Sequence, residues 1–216
     1  MHQSKVTRID VAQNFIMRHP NAVYYCHLGE ARYYKRLEQP SSLYYRNGQR
    51  TLLFYDKVAE QKAKRKPIPD LYLNRNGLRY EARFNSRLPQ LFNLSSVTGA
   101  TLYDEGFYAK VLSRWENEYN SIKKNRSLTI DSSFMSSVKD FENFIFLSGL
   151  QAIGGEQVLL HQIELARKQG IVKNKMQAKR LRDKVKQLSH IPNLTSDSEA
   201  ILELDKKVKE SIKYYR

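Results

Sequence analysis

Hydrophobic and polar positions alternate along the first part of the chain and then change period. "KVTRIDVA" sets Val6, Arg8 and Asp10 on one face and Thr7, Ile9 and Val11 on the other, which predicts a half-buried strand. In "NAVYYCHLGEARYYKRLE" the apolar and aromatic residues recur at three and four, so this stretch predicts a helix. "SLYYRNGQRTLLFY" is two β-prone runs around Asn47-Gly48, a hairpin signal, because that dipeptide readily takes the positive backbone angles of a tight turn. "KPIP" breaks the chain, since Pro67 and Pro69 fit neither regular structure. "GLRYEARF" alternates again, with Leu78, Tyr80 and Ala82 opposed to Arg79, Glu81 and Arg83. Strands, a helix and a hairpin in this order predict an α+β fold with an antiparallel sheet.

From about residue 104 the period is helical. Tyr108, Val111, Leu112, Trp115, Tyr119 and Ile122 form one apolar stripe. A second helix is predicted from Ser132 to about Leu150, with Phe134, Val138, Phe141 and Ile145 inward, stopped by Gly154-Gly155. "EQVLLHQIELARKQ" is a third, closed by Gly170. Asn174 caps a fourth, with Ala178, Leu181, Val185 and Leu188 inward. Ser196 and Glu199 are spaced as a capping box for a last helix through Ile201, Leu204, Val208 and Ile212. The expected division is an α+β domain over residues 1–103 and a mostly helical region over 104–216. A helix-turn-helix over 155–189 would place its second helix in a DNA groove. The alternative there is a solvated basic face on a helical bundle.

Charge changes the picture. The 37 Lys and Arg against 22 Asp and Glu leave a net charge of +15, which points to a polyanionic partner. No apolar run is long enough to span a bilayer and no start segment resembles a signal peptide, so nucleic acid in the cytoplasm is favoured over a membrane. A lone cysteine, Cys26, excludes an internal disulfide and a cysteine-built zinc site. Fourteen Tyr and nine Phe interleave with the basic residues, which suits phosphate contacts with base stacking, or simply a core.

Residues 31–90 hold 14 Lys and Arg against five acids, so each acid there needs a partner. Asp10, Asp56 or Glu60, and Glu81 each come from or beside a predicted strand, and three carboxylates together would suit Mg²⁺ or Mn²⁺. Ion pairs of Asp10 with Arg8, and of Glu81 with Arg79 or Arg83, are the competing reading. Tyr55 ends an apolar run and is the candidate nucleophile. Its phenol, with a reference pKa of about 10, would need a cation or base, and Lys57, two residues on, is the candidate. The competing reading is a tyrosine packed at a strand end. Walker-type loops, GxSxG and histidine metal motifs do not occur.

"VTRIDVAQNF", "SLYYRNGQRTLLFYDKVAEQ" and "LRYEARF", in that order, resemble the replication initiators of filamentous phages, the gene II and gene X family. The succession is also similar to rolling-circle initiators of staphylococcal-type plasmids and to relaxases of conjugative transposons. The resemblance covers roughly residues 5 to 125. It implies a metal-dependent nicking and closing enzyme that starts rolling-circle replication of a phage or plasmid. Tyr55 would become linked to a 5′ phosphate, with Lys57 beside it. Asp10, Glu60 and Glu81 would form the metal shell for Mg²⁺ or Mn²⁺, with Asp56 a substitute. DNA is the implied partner, an origin in single-stranded or unwound form, and a host helicase is counted with it. Arg8, Arg79, Arg83, Lys173, Lys179 and Arg182 are the expected DNA contacts. One departure is the absence of a histidine-hydrophobic-histidine triplet, which in many such initiators holds the metal. The alternative, a non-catalytic DNA-binding regulator on the same scaffold, therefore stays open, as does a basic RNA-binding protein.

Overall fold

The computed structural model describes residues 3–125, 127–128, 137–189, 195–196 and 198–214. In chain order its first elements are β1 (Ile9–Met17), α1 (Asn21–His27), β2 (Leu28–Ala31), β3 (Lys35–Gln39), β4 (Ser42–Arg46), β5 (Arg50–Asp56) and α2 (Lys57–Ala63). There follow β6 (Asn76–Phe84), α3 (Leu88–Phe92), α4 (Glu105–Asn120), β7 (Ile122–Lys124) and β8 (Ser127–Leu128). The last are α5 (Val138–Ala152), α6 (Glu156–Lys168), α7 (Lys175–Leu188), β9 (Thr195–Ser196) and α8 (Glu199–Tyr214). The fold class is α+β, an N-terminal antiparallel sheet with helices followed by a mostly helical region. Among the described residues no helix is long and apolar enough to cross a membrane.

Two compact units divide the chain, residues 1–124 with 199–216, and residues 125–198. The boundary expected after residue 103 therefore gives way to one after Lys124, and the last helix returns to the first unit. The reason is apolar burial. Val111, Leu112, Trp115 and Tyr119 of α4, and Ile201, Leu204, Val208 and Ile212 of α8, join one core with the sheet. Polar bonds fix the return, Tyr24 to Glu203 at 2.6 Å and Tyr119 to Asp205 at 2.5 Å.

The sheet is antiparallel in the order β1-β6-β5-β4-β3. Its register puts Phe15, Leu43, Tyr45, Leu52, Phe54, Leu78, Tyr80, Ala82 and Phe84 on one face, all buried in that core. Phe54 stacks on Tyr80 at 4.6 Å between centroids, and Tyr80 lies 4.8 Å from Trp115 of α4. The strand in "GLRYEARF" and its two faces are as the alternation predicts. The hairpin forms at Asn47-Gly48, though neither residue takes a positive φ: the Asn47 side chain holds the turn by accepting from the Gln49 and Arg50 amides. The single helix predicted over "NAVYYCHLGEARYYKRLE" is instead α1 followed by β2 and β3, with a turn at Tyr33 (φ 69°). Strand pairing outweighs the local helical period here: β2 pairs with β7 from far along the chain, and β3 forms a tight hairpin with β4.

In the second unit Gly154 and Gly155 end α5 with positive φ, and Gly170 does the same after α6. Asn174 caps α7, its side chain accepting from the Met176 amide. The inward face of α5 differs from the prediction: Leu147 and Leu150 are buried, while Val138, Phe141 and Ile145 are 76, 54 and 53% exposed. Its apolar residues cover more than one face, so periodicity alone could not choose. In α7, Ala178 and Val185 are buried as predicted, but Leu181 is exposed. Ser132 and Phe134 fall outside the described residues, and Ser196 lies in β9 rather than at a helix cap.

One glycine fixes how α2 meets the sheet. A Cβ on Gly77 would stand 2.9 Å from Val58 Cγ2. Gly77→Ala is therefore expected to destabilise the protein by about 1–3 kcal/mol through overpacking, read as a lower urea midpoint.

Candidate functional site

The second face of the sheet has a different chemistry. Register places Asp10, Ala12 and Asn14 of β1 beside Arg83, Glu81 and Arg79 of β6. On the other side of β6 stand Thr51, Leu53 and Tyr55 of β5, followed by Arg46, Tyr44 and Ser42 of β4. Arginines, tyrosines and carboxylates thus form rows across four strands. The arginines and tyrosines remain half-exposed or exposed, and Glu81 is buried beneath them. Helix α2, whose Val58 approaches Gly77, rims this face at the Tyr55 end.

Glu81 is the hub. Arg83 Nε donates to its Oε1 at 2.6 Å and Arg79 Nε to its Oε2 at 3.2 Å. The Tyr55 hydroxyl donates to the same Oε2 at 3.2 Å. Arg79 also reaches Asn14 Oδ1 at 3.3 Å, which ties β1 into the group. Burial pushes the Tyr55 phenol up to about 12. The Arg79 charge works against that rise, while Glu81 and Glu60 add to it. Lys57 opens α2 rather than extending β5, and its ammonium stands 5.9 Å from the Tyr55 ring centroid. Its ion pair is with Glu60, at 2.5 Å, so Arg79 is the cation that acts on the phenol.

The four candidate metal ligands do not gather into one set. Asp10 is clasped by Arg8 through two bonds of 2.7 and 2.6 Å. Glu60 is shared by Lys57 and Lys64, which draw its pKa down against the effect of burial. Asp56 faces the other way along β5, and its carboxylate accepts from the Ala59 amide as the cap of α2. Glu81 is held by its two arginines. Among the described residues no three potential ligands come together. The donors present therefore do not fit a three-carboxylate cation site, because lysine, arginine or backbone donors already occupy their oxygens.

Of the expected DNA contacts, Arg8, Arg79 and Arg83 share this face, whereas Lys173, Lys179 and Arg182 belong to the second unit. Sequence reading did not single out Asn14, Tyr44 or Arg46. Alternation in "SLYYR" carried a signal for Tyr44, which stands opposite to Leu43 and Tyr45 and holds Arg46 4.7 Å from its ring centroid. The face as a whole offers half-exposed cations for phosphate, aromatic surface for bases, and a phenol bonded to a carboxylate.

Residues 1–106, which span all five strands of this sheet, match the family described as the N-terminal part of the phage replication-associated protein, the gene II product. No curated protein and no solved structure matches the chain.

Proposed function

From a chain whose residues 1–106 carry the N-terminal domain of the filamentous-phage gene II family of replication-associated proteins, we propose a tyrosine-dependent nuclease that cuts and rejoins one DNA strand at an origin. The observation that carries this reading is the Tyr55–Glu81 bond, set between Arg79 and Arg83 on a basic sheet face. Arg79 and Arg83 hold the scissile phosphate and offset the charge that grows on its oxygens. The phenol oxygen bonds to phosphorus as the phosphorus bond to the 3′ oxygen breaks. The phenol proton passes to Glu81, and the departing 3′ oxygen takes its proton from solvent. Tyr55 then carries the 5′ phosphate, and the reverse reaction rejoins the strand. A phenol raised to about 12 requires such a base at neutral pH, because it loses no proton unaided.

One observation favours the second reading, a DNA-binding regulator that does not cut. Every candidate ligand and base on this face is already engaged by a neighbouring donor. Adduct formation on 3′-labelled single-stranded oligonucleotides, resolved on a denaturing gel, separates the two. Under the catalytic reading Glu81→Gln should slow adduct formation by about 10²–10⁴-fold, with DNA affinity by anisotropy held within a few-fold. Parallel runs in EDTA and in Mn²⁺ or Mg²⁺ test the cation that the resemblance implies. Equal adduct in both sets it aside.

A further inference from the structure

Between Arg167 and Lys186 the second unit carries nine basic residues against one acid, Asp183. Four of the nine follow a rule of spacing. Lys175, Lys179, Arg182 and Lys186 of α7 are separated by four, three and four residues, so at 3.6 residues per turn they fall within about 60° of one another. With a rise of about 1.5 Å per residue they form a straight ridge roughly 16 Å long. The three lysines are exposed.

The rest of the helix is anchored so that this ridge keeps one direction. Val185 packs with Leu160 and Ile163 of α6, and Ala178 is fully buried. Arg182 reaches across to Glu164 of α6 at 3.3 Å, and Glu164 is also held by Arg167 at 2.7 Å. Like charges three and four residues apart on a helix repel, and the single acid of α7 does little to offset a repulsion repeated along its length. A polyanion lying along the ridge removes it. We propose that the α6–α7 pair is a second DNA-binding module, whose α7 ridge takes the phosphates of duplex DNA.

The chemistry selects duplex over single strand. Unpaired strands are held by aromatic side chains that stack on bases, and α7 has none. That chemistry belongs to the sheet face of the first unit, with Tyr44 and Tyr55. A base-reading helix-turn-helix is disfavoured as well. Six residues, 169–174, join α6 to α7, whereas that motif uses a turn of three or four. The module is therefore a backbone binder with little sequence preference, and it stands whether or not Tyr55 is a nucleophile.

The test uses the full chain and a fluorescein-labelled duplex of random sequence, with affinity measured by anisotropy across a salt series. Each phosphate neutralised contributes about 0.9 to the slope of log affinity against log salt. Lys175→Gln, Lys179→Gln and Lys186→Gln together should make that slope shallower by about 2.7. Between about 50 and 200 mM salt, wild type should then lose about fortyfold more affinity than the variant. The matching single strand should show less than one unit of slope change. A control on α8, Lys206→Gln, Lys209→Gln and Lys213→Gln, removes the same net charge and should alter the slope by less than one unit. With helicity unchanged by circular dichroism, an unaltered duplex slope in the α7 variant overturns the proposal. So does an equal change with the α8 control, with the single strand, or a loss seen only on phosphatidylserine vesicles.

Discussion

Tyr55→Phe is expected to fold as wild type does, to bind DNA with affinity within a few-fold, and to form no covalent adduct with it. The ring stays, so packing at the end of β5 is kept. What is lost is one hydrogen bond of 3.2 Å to Glu81, worth about 1 kcal/mol at most to stability. Glu81 keeps Arg79 and Arg83 and so is not left as a buried charge without a partner. Loss of the oxygen that bonds to phosphorus removes the reaction rather than slowing it. The suitable control is Tyr44→Phe, on the neighbouring strand and the same face. Tyr80→Phe would confound the comparison, because Tyr80 is wholly buried and its hydroxyl donates to the Trp115 carbonyl at 3.1 Å. An adduct that survives in Tyr55→Phe removes this nucleophile. Wild type without an adduct, across oligonucleotides that it binds, supports the non-cutting reading.

The largest effect on stability is expected at Glu118, far from any chemistry. This carboxylate on α4 is 4% exposed and draws in Arg50 of β5, Arg114 at 2.9 Å and the Tyr34 hydroxyl at 2.6 Å. It is the polar link between the covered face of the sheet and the helix that covers it. Glu118→Ala leaves two guanidinium groups and a phenol without their shared acceptor in a poorly hydrated place. The expected loss is about 3 kcal/mol, the lower end for a broken buried pair because Arg50 and Arg114 keep some contact with water. Glu118→Gln retains an acceptor and should cost less. Urea denaturation measures both, and a Glu118→Ala change below about 1 kcal/mol would mean that water replaces the carboxylate.

Local pattern carried the parts of the fold whose energetics are local. The hairpin at Asn47-Gly48 needs only a short turn, in which the Asn47 carboxamide accepts from the Gln49 and Arg50 amides, and α7 needs only its Asn174 cap and an apolar stripe. β6 could be read to the residue because alternation puts Leu78, Tyr80 and Ala82 in the core and Arg79, Glu81 and Arg83 opposite. The pairing of Glu81 with flanking arginines was visible as charge arithmetic within two positions, whereas Lys57, expected beside the Tyr55 phenol, pairs with Glu60 instead. Asp56 shows the limit of that arithmetic. Its place beside Tyr55 in the chain suggested the same site, yet consecutive strand residues face opposite ways and it caps a helix instead.

By itself the sequence determined an antiparallel α+β domain with the motifs of a phage replication protein, a strongly basic surface and a helical C-terminal region. The motifs rest on resemblance, and the rest follows from period, turn chemistry or net charge, which need no partner distant in the chain. Tertiary structure alone decided that residues 28–31 are a strand, because β7 pairs with them from far along the chain; β3 is set by its hairpin with the adjacent β4, which the helical period of the aromatics masked. It alone returned α8 to the first core, since an amphipathic helix does not encode which surface covers its stripe. The same holds at the site. Register across three strands brings Asn14, Tyr55, Arg79 and Glu81 into one bonded group, and only a folded sheet, whose hydrogen bonds fix that register, can choose it over the other pairings that the charges allow.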